Sequence, residues 1–91
     1  MKDDKFEWDD DKARINLDKH EISFDLASKV FDDPAREERL DDDTDEERWI
    51  AIGLAEGRVL FIVFTERNGR TRIISARKAN RNEQASYFAG H

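Results

Sequence analysis

The chain has 91 residues, of which 42% are charged and 37% hydrophobic, and its formal net charge at pH 7 is −6. A chain of this length buries one modest core, so we predict a single domain over residues 1–91. The lack of cysteine excludes a disulfide framework, a thiolate metal site and a cysteine nucleophile.

A short strand and a helix are predicted first. Phe6-Glu7-Trp8 alternates apolar and acidic residues as a strand does. Asp9 is a good N-cap for a helix over about residues 10–19, and this helix places Lys12 and Lys19 on one stripe. The opening residues contain no apolar stretch long enough for a signal peptide or a membrane span, so we expect a soluble, cytoplasmic protein.

A second helix and a strongly acidic segment follow. Ser23 is an N-cap candidate, and Pro34 ends the helix near Asp32. Residues 37–47 carry eight carboxylates and one apolar residue, which predicts a solvated loop with an edge strand at residues 39–41. This run lacks the glycine of a calcium loop, and we expect no metal site in it.

Three strands and a last helix complete the chain. Strands are predicted over residues 48–54, 58–66 and 71–76, joined by turns at Glu56-Gly57 and Asn68-Gly69, and an Asn-Gly pair between apolar runs is a strong hairpin signal. A helix is predicted from Asn80 or Asn82 to about Phe88. The fold class is therefore α+β, an antiparallel sheet packed against two N-terminal helices, with a short C-terminal helix.

Two-residue hairpin loops would assign every strand residue to a face of the sheet. Ala55 then faces Arg58, and Arg67 faces Arg70. The face predicted to receive the helices carries Ile50, Ile52, Leu54, Val59, Phe61, Val63, Ile74 and Ala76, with Arg67, Arg70 and Arg72 at the hairpin end. The opposite face carries Trp49, Ala51, Leu60, Ile62, Phe64, Ile73, Ser75 and Arg77.

Charge is divided unevenly along the chain. Before Arg58 there are nine Lys and Arg against twenty Asp and Glu, and from Arg58 onward seven against two. Such segregation indicates a surface on the later strands that faces a polyanion. The basic residues are Arg67, Arg72, Arg77, Lys78 and Arg81, whose side chains can bind phosphate oxygens. The alternative is a solvated strand surface that balances the acidic segment.

Lys19-His20 forms a second candidate cluster. Histidine transfers protons near neutral pH, and the neighbouring lysine favours a phosphate. The alternative is a histidine that only caps the carbonyl groups at the end of its helix. Likewise Trp8, Trp49 and Phe64 are suited to stacking on bases, but they are equally suited to the core of a lean domain.

The sequence resembles the BrnT family of type II toxin-antitoxin toxins over nearly the whole chain, from Phe6 to Tyr87. The residues that carry the resemblance are Phe6-Glu7-Trp8-Asp9, Lys12-Ala13, Asn16, Lys19-His20, Ser23-Phe24, Val30-Phe31-Asp32-Asp33-Pro34, Glu47-Arg48, Ile52-Gly53, Thr65-Glu66-Arg67, Arg72-Ile73-Ile74-Ser75-Ala76-Arg77, Glu83 and Tyr87. A long set in a fixed order is more specific than any single motif.

The resemblance implies a RelE-like fold and a ribonuclease that blocks translation without a metal or other cofactor. It also implies neutralisation by a BrnA-type antitoxin with a ribbon-helix-helix part, through which the complex contacts DNA and represses its own operon. The predicted catalytic residues are His20 as acid or base, Arg72 and Arg77 as phosphate stabilisers, Glu47 as a base or orienting partner, and Lys19 beside His20. Lys12, Arg67, Lys78 and Arg81 are predicted to bind RNA.

Two features depart from the family pattern. Glu21 stands where the family commonly has glycine after Lys-His, which puts a carboxylate beside the implied site. The acidic segment is also heavy for an RNA enzyme. A second reading therefore stays open, a non-catalytic module that pairs with a ribbon-helix-helix DNA-binding partner in transcriptional autoregulation, with its acidic surface against a basic antitoxin.

Overall fold

The computed structural model describes residues 1–42 and 45–90; Asp43 and Thr44 of the predicted acidic loop, and His91, lie outside the described residues. The order of elements is β1 (Phe6–Glu7), α1 (Asp10–His20), α2 (Phe24–Ser28), a 3-10 helix (Lys29–Asp32), β2 (Glu37–Leu40), β3 (Trp49–Ala55), β4 (Arg58–Arg67), β5 (Arg70–Lys78) and α3 (Arg81–Ala89). The α+β class is thus confirmed.

The sheet has five strands in the order β1-β5-β4-β3-β2. β1 pairs with β5 in parallel, and the other three pairings are antiparallel. The expectation of a purely antiparallel sheet is therefore wrong. β1 reaches β5 through all the intervening elements and not through a tight turn, so no hairpin forces the two strands to run in opposite directions.

The helices begin at the caps that the sequence predicts. The Asp9 side chain accepts from the Lys12 backbone N–H at 3.0 Å, and the Ser23 hydroxyl accepts from the Leu26 N–H at the same distance. At α3 the Asn80 side chain accepts from the Glu83 N–H, while the Glu83 carboxylate accepts from the Asn80 N–H, a reciprocal capping box. These caps satisfy backbone donors that have no partner within the helix.

Both hairpins have the predicted turns and registers. Glu56-Gly57 and Asn68-Gly69 all have positive φ, as the two central positions of a type I′ turn require. Ala55 pairs with Arg58, and Arg67 pairs with Arg70. The turn chemistry therefore sets the register at the start of each hairpin.

The predicted faces are wrong in two respects, and a β-bulge is the cause of one. Phe64 pairs with Ile73 but Val63 pairs with Ser75, so Ile74 is an extra residue in β5. Beyond it the side chains exchange faces, and Arg77 pairs with Phe61 where the unbroken register predicted Leu60. Ser75 and Arg77 thus share the face of Val63 and Phe61, whereas Ala76 joins the face of Ile62.

The second error concerns the face that receives the N-terminal helices. Residues of α2 and the 3-10 helix pack on the face that was expected to be free of them, in a cluster that includes Phe24, Leu26, Ala27, Val30, Ala51, Leu60, Ile62, Phe64, Ile73 and Ala76. The other face packs beneath α3, in a smaller cluster of Ile50, Ile52, Val59, Ala79 and Tyr87 with Phe61 at its margin. Because both faces of the middle strands are apolar, their alternation does not indicate which face receives which helices. Among the described residues, no helix combines the length and apolar character needed to cross a membrane.

Candidate active site

Helix α1 lies along the outer edge of β5, beyond the point where β1 ends. Its contact with β5 depends on Asn16, one of two buried polar side chains among the described residues. The Asn16 amide nitrogen donates to the carbonyls of Ala76 (2.8 Å) and Ile22 (3.0 Å), and its oxygen accepts from the Ala76 N–H at 3.1 Å. One side chain thus pairs both backbone groups of an edge residue, as a neighbouring strand would.

This contact forms a hollow of about 210 Å³ between α1 and β5. It is lined by Lys12, Ile15, Asn16, Lys19, His20, Ile74 and Ser75. Lys12 and Lys19 are exposed, and His20 is half-buried as the last residue of α1. The structure therefore brings together three of the predicted site residues, two cations and an imidazole, beside a serine.

A second hollow, of about 500 Å³, lies beside the first and shares two lining residues with it. Its lining is Lys12, Glu46, Glu47, Arg48, Thr65, Glu66, Arg67, Arg72 and Ile74, so that Lys12 and Ile74 belong to both hollows. We call the two together the α1-β5 trench. The trench contains Lys12, Lys19, His20, Arg67, Arg72 and Glu47, which are six of the nine predicted site residues.

Arg72 is held in this trench by a buried carboxylate. Its Nη1 donates to Glu7 Oε2 at 2.6 Å, and the two side chains keep 23% and 9% of their exposure. Glu7 lies on β1 directly opposite Arg72 in the parallel register. A charge-assisted bond between buried groups is stronger than one in water, so the ion pair restricts the position of the guanidinium.

Arg77 lies outside both hollows of the trench. Its guanidinium donates to the two carboxylate oxygens of Glu83 on α3, at 2.8 and 2.9 Å, and stacks on the Phe61 ring at 3.9 Å from the centroid. The hydrogen bond from Arg77 lowers the pKa of the Glu83 carboxyl. Arg77 therefore connects α3 to the sheet, because the bulge turns it to that face. A role for Arg77 with phosphate stays a prediction.

Lys78 and Arg81 are both exposed, at the end of β5 and the start of α3, and neither lines the trench. Their proposed contacts with RNA stay predictions as well. The trench thus has its cationic side chains on α1, on the β4-β5 hairpin and at Arg48, directly before β3.

The family model described as the ribonuclease toxin BrnT of type II toxin-antitoxin systems matches residues 8–83. The chain belongs to the BrnT family. The matched segment contains α1, all six residues of the trench that carry a positive charge or an imidazole, and the Arg77-Glu83 pair. A comparison with curated proteins gives no match.

In this BrnT chain a third hollow, acidic and aromatic, adjoins the trench. It has a volume of about 350 Å³ and is lined by Glu38, Glu47, Trp49, Phe64, Thr65 and Glu66. Glu47, Thr65 and Glu66 belong to both this hollow and the trench, and the Thr65 hydroxyl donates to the Glu47 carbonyl at 2.9 Å. Glu47 thus lies at the boundary between a basic and an acidic surface. Of the three aromatic residues weighed for base stacking, Trp8 and Phe64 are buried in the core and Trp49 is half-buried.

The residue after His20 adopts a conformation that suits glycine. Glu21 has φ 59° and ψ 25°, and its N–H donates to the Leu17 carbonyl at 2.9 Å to end α1. A left-handed backbone at this position is common for glycine and costly for a residue with a side chain. The glycine that the BrnT pattern commonly has after Lys-His therefore has a physical reason.

Sequence reasoning missed Glu7, Asn16 and the Tyr87-Asp33 pair. The Tyr87 hydroxyl donates to Asp33 Oδ2 at 2.5 Å, and burial together with this bond raises the Tyr87 pKa to about 12. The alternation of Phe6-Glu7-Trp8 does put Glu7 on the face away from Phe6 and Trp8. The partner of each residue, however, depends on the pairing of distant elements, which local patterns do not give.

Proposed function

We propose that this member of the BrnT family cleaves RNA in the α1-β5 trench by a mechanism that needs no metal. The observation that supports this most is that two hollows share Lys12 and Ile74, one of them lined by an imidazole and two lysines and the other by Arg67 and Arg72. Such a row of cations beside a proton-transfer group fits a phosphodiester. The net negative charge of the chain does not oppose this, because the trench is lined by five lysine and arginine side chains against the three carboxylates of Glu46, Glu47 and Glu66.

The reaction that fits these groups is transesterification within RNA. The ribose 2′-oxygen attacks the adjacent phosphorus as its proton passes to a base, and the bond from phosphorus to the 5′-oxygen breaks as that oxygen receives a proton. The products are a 2′,3′-cyclic phosphate and a 5′-hydroxyl. We assign His20 as acid or base, Glu47 as the complementary base or as an orienting partner, and Lys19 and Arg72 as stabilisers of the charge on phosphate.

The other predicted contacts follow from exposure and charge. Lys12 lies where the two hollows meet, which suits it to bind the phosphate on one side of the scissile bond, and Arg67 extends the row toward the hairpin. Lys78, Arg81 and Arg77 are proposed to contact RNA further along the strand.

The family also leads us to propose the setting of this activity. Cleavage would inhibit translation in the cytoplasm, and a BrnA-type ribbon-helix-helix antitoxin would neutralise the toxin and bring the complex to its operator. We propose a RelE-like relationship for the fold, with residues 1–91 acting as one domain.

A second candidate function is favoured by the acidic hollow. Three carboxylates around Trp49 and Phe64, next to the exposed edge strand β2, suit a basic partner segment. On this reading the chain is a binding module without activity, and its role is to pair with a DNA-binding partner in autoregulation.

Cleavage of a short RNA by the purified protein separates the two readings. We expect cleavage that persists in EDTA, yields a 2′,3′-cyclic phosphate and fails on 2′-O-methyl RNA. His20→Ala should lower kcat by about 10²-10⁴-fold, the usual contribution of a general acid or base. Arg58→Ala is the matched control, because Arg58 is exposed and lines neither part of the trench.

Two results would refute the proposal. Products that end in a 3′-hydroxyl and a 5′-phosphate would exclude attack by the 2′-oxygen, and a strict need for Mg²⁺ would exclude the metal-free mechanism. No cleavage by the wild type, together with tight binding to a ribbon-helix-helix partner, would instead support the binding module.

A further inference from the structure

Glu7 has a buried carboxylate that the proposed chemistry does not use. It keeps 7% of its exposure, and it and Asn16 are the buried polar residues in the part of the chain that the structure describes. Burial of a carboxylate is unfavourable unless the group is paired. A domain with a small core has little stability to spare for a buried ion pair. The Glu7-Arg72 pair therefore calls for a functional explanation.

The chain before β1 is arranged so that Glu7 faces β5 at one position. The Asp3 carboxylate accepts from the Lys5 and Phe6 N–H groups, and the Lys5 carbonyl accepts from the Thr71 N–H at 2.8 Å. The Asp3 carbonyl accepts from Arg70 Nε at 2.6 Å. These bonds fix the register in which Glu7 pairs with Arg72.

The core then determines the direction of the Glu7 side chain. Trp8 belongs to the large core cluster and Phe6 packs against it. Because alternate residues of an extended segment point to opposite sides, Glu7 points away from that cluster. It meets the Arg72 side chain there, at the wall of the trench.

We propose that Glu7 is a positioning residue that orients the Arg72 guanidinium toward the RNA phosphate, an inference that rests on the proposed function. A guanidinium has five N–H donors, and the bond to Glu7 uses one, on Nη1. The other four N–H groups lie in the plane of the guanidinium. A fixed position of Nη1 therefore also fixes the directions in which these N–H groups point. Arg72 is thereby ordered before RNA binds, and the binding step loses less side-chain entropy.

The test compares Glu7→Gln in two backgrounds, wild type and Arg72→Ala, by kcat and KM on a short RNA. We expect Glu7→Gln to lower kcat about tenfold, since small displacements of a positioned group cost up to about 10²-fold, with KM changed less than about twofold. In the Arg72→Ala background the same substitution should change kcat less than about twofold. Equal losses in both backgrounds would overturn the proposal, because an effect of Glu7 that does not act through Arg72 is the same with and without that side chain.

Two further variants keep the test decisive. Glu56→Gln removes a carboxylate from an exposed pair with Lys29 (2.9 Å) outside the trench, and kcat should not change. Glu7→Asp keeps the negative charge but moves the carboxylate away from Arg72 by the length of one methylene group. This variant replaces Glu7→Gln in the test if Glu7→Gln does not fold. A folded Glu7→Asp variant with full kcat would also refute positioning.

A readout without cleavage separates this inference from the proposed function. In nitrogen-15 NMR spectra, the Arg72 Nη–H signals should be resolved in the wild type and averaged by rotation in Glu7→Gln. Unchanged Arg72 signals would refute positioning whatever the RNA assay gives. Signals that depend on Glu7 in a wild type that cleaves no RNA would refute the nuclease and leave the orientation of Arg72 by Glu7 standing.

Discussion

Replacing Glu21 by glycine tests two properties of one position, its backbone conformation and its charge. Glu21 has φ 59° at the end of α1, is exposed, and follows the proposed catalytic His20. A left-handed conformation costs a non-glycine residue roughly 1–2 kcal/mol. Glycine avoids this cost, but its greater conformational freedom in the unfolded chain destabilises the folded state by about 0.5–1 kcal/mol.

We therefore expect Glu21→Gly to raise the free energy of unfolding by about 0.5–1 kcal/mol. For a domain of this size that corresponds to a rise in Tm of about 2–8 °C. Glu21→Gln removes the charge but keeps the side chain and its strain, so its Tm should stay near that of the wild type. Thermal and urea unfolding of the three proteins measure this difference directly.

The same variants report on the charge beside the trench. Both should lower KM for RNA by about two- to fivefold at low salt, because each removes a carboxylate that repels phosphate, and the gain should shrink as salt increases. A glycine variant no more stable than the wild type, or a glutamine variant stabilised equally, would refute the conformational argument. A KM that changes only in the glycine variant would refute the electrostatic one.

Three further predictions concern the contacts that support the site. Asn16→Ala removes three hydrogen bonds and leaves both backbone groups of Ala76 without a protein partner, so urea unfolding should show a loss of about 3 kcal/mol; a loss below about 1 kcal/mol would contradict this account of the α1 contact. The lowered pKa of Glu83 means that its stabilising effect is present above the unfolded pKa, about 4.3, and is lost as the pH falls through the folded value. Glu83→Gln should therefore lose less stability on acidification than the wild type, and an identical acid dependence would exclude this contribution. Tyr87 is the only tyrosine, so phenolate absorbance should titrate near 12, and stability should fall as the pH rises from about 10 toward that value. Tyr87→Phe should remove that alkaline loss, and a midpoint near 10 would show that the bond to Asp33 does not hold the proton.

The hairpins show how much of this fold local sequence determines. Asn68-Gly69 is a typical type I′ sequence, and both it and the Glu56-Gly57 turn have the positive φ values and registers expected of two-residue hairpin loops. Helix caps at Asp9 and Ser23 were equally predictable, because each depends on a side chain bonding to a backbone group three residues away, whereas the start of the last helix was left open between Asn80 and Asn82.

The features that escaped prediction depend on long-range packing. The bulge at Ile74 has no glycine to mark it, yet it turns Arg77 to the face of α3, where the guanidinium pairs with Glu83. The partners of Glu7 and Asn16 lie 65 and 60 residues away in the chain. For the trench, the sequence and the family resemblance together singled out the imidazole and every lining cation except Arg48. Only the fold could separate the residues that line the trench from Arg77.

The account depends most on RNA lying in the α1-β5 trench. NMR titration with a 2′-O-methyl RNA, which binds but lacks the attacking hydroxyl, tests this directly. We predict that the largest shift changes occur at Lys12, His20 and Arg72 and decrease with increasing salt. Saturable binding whose largest changes lie elsewhere, with these three signals unmoved, would contradict it.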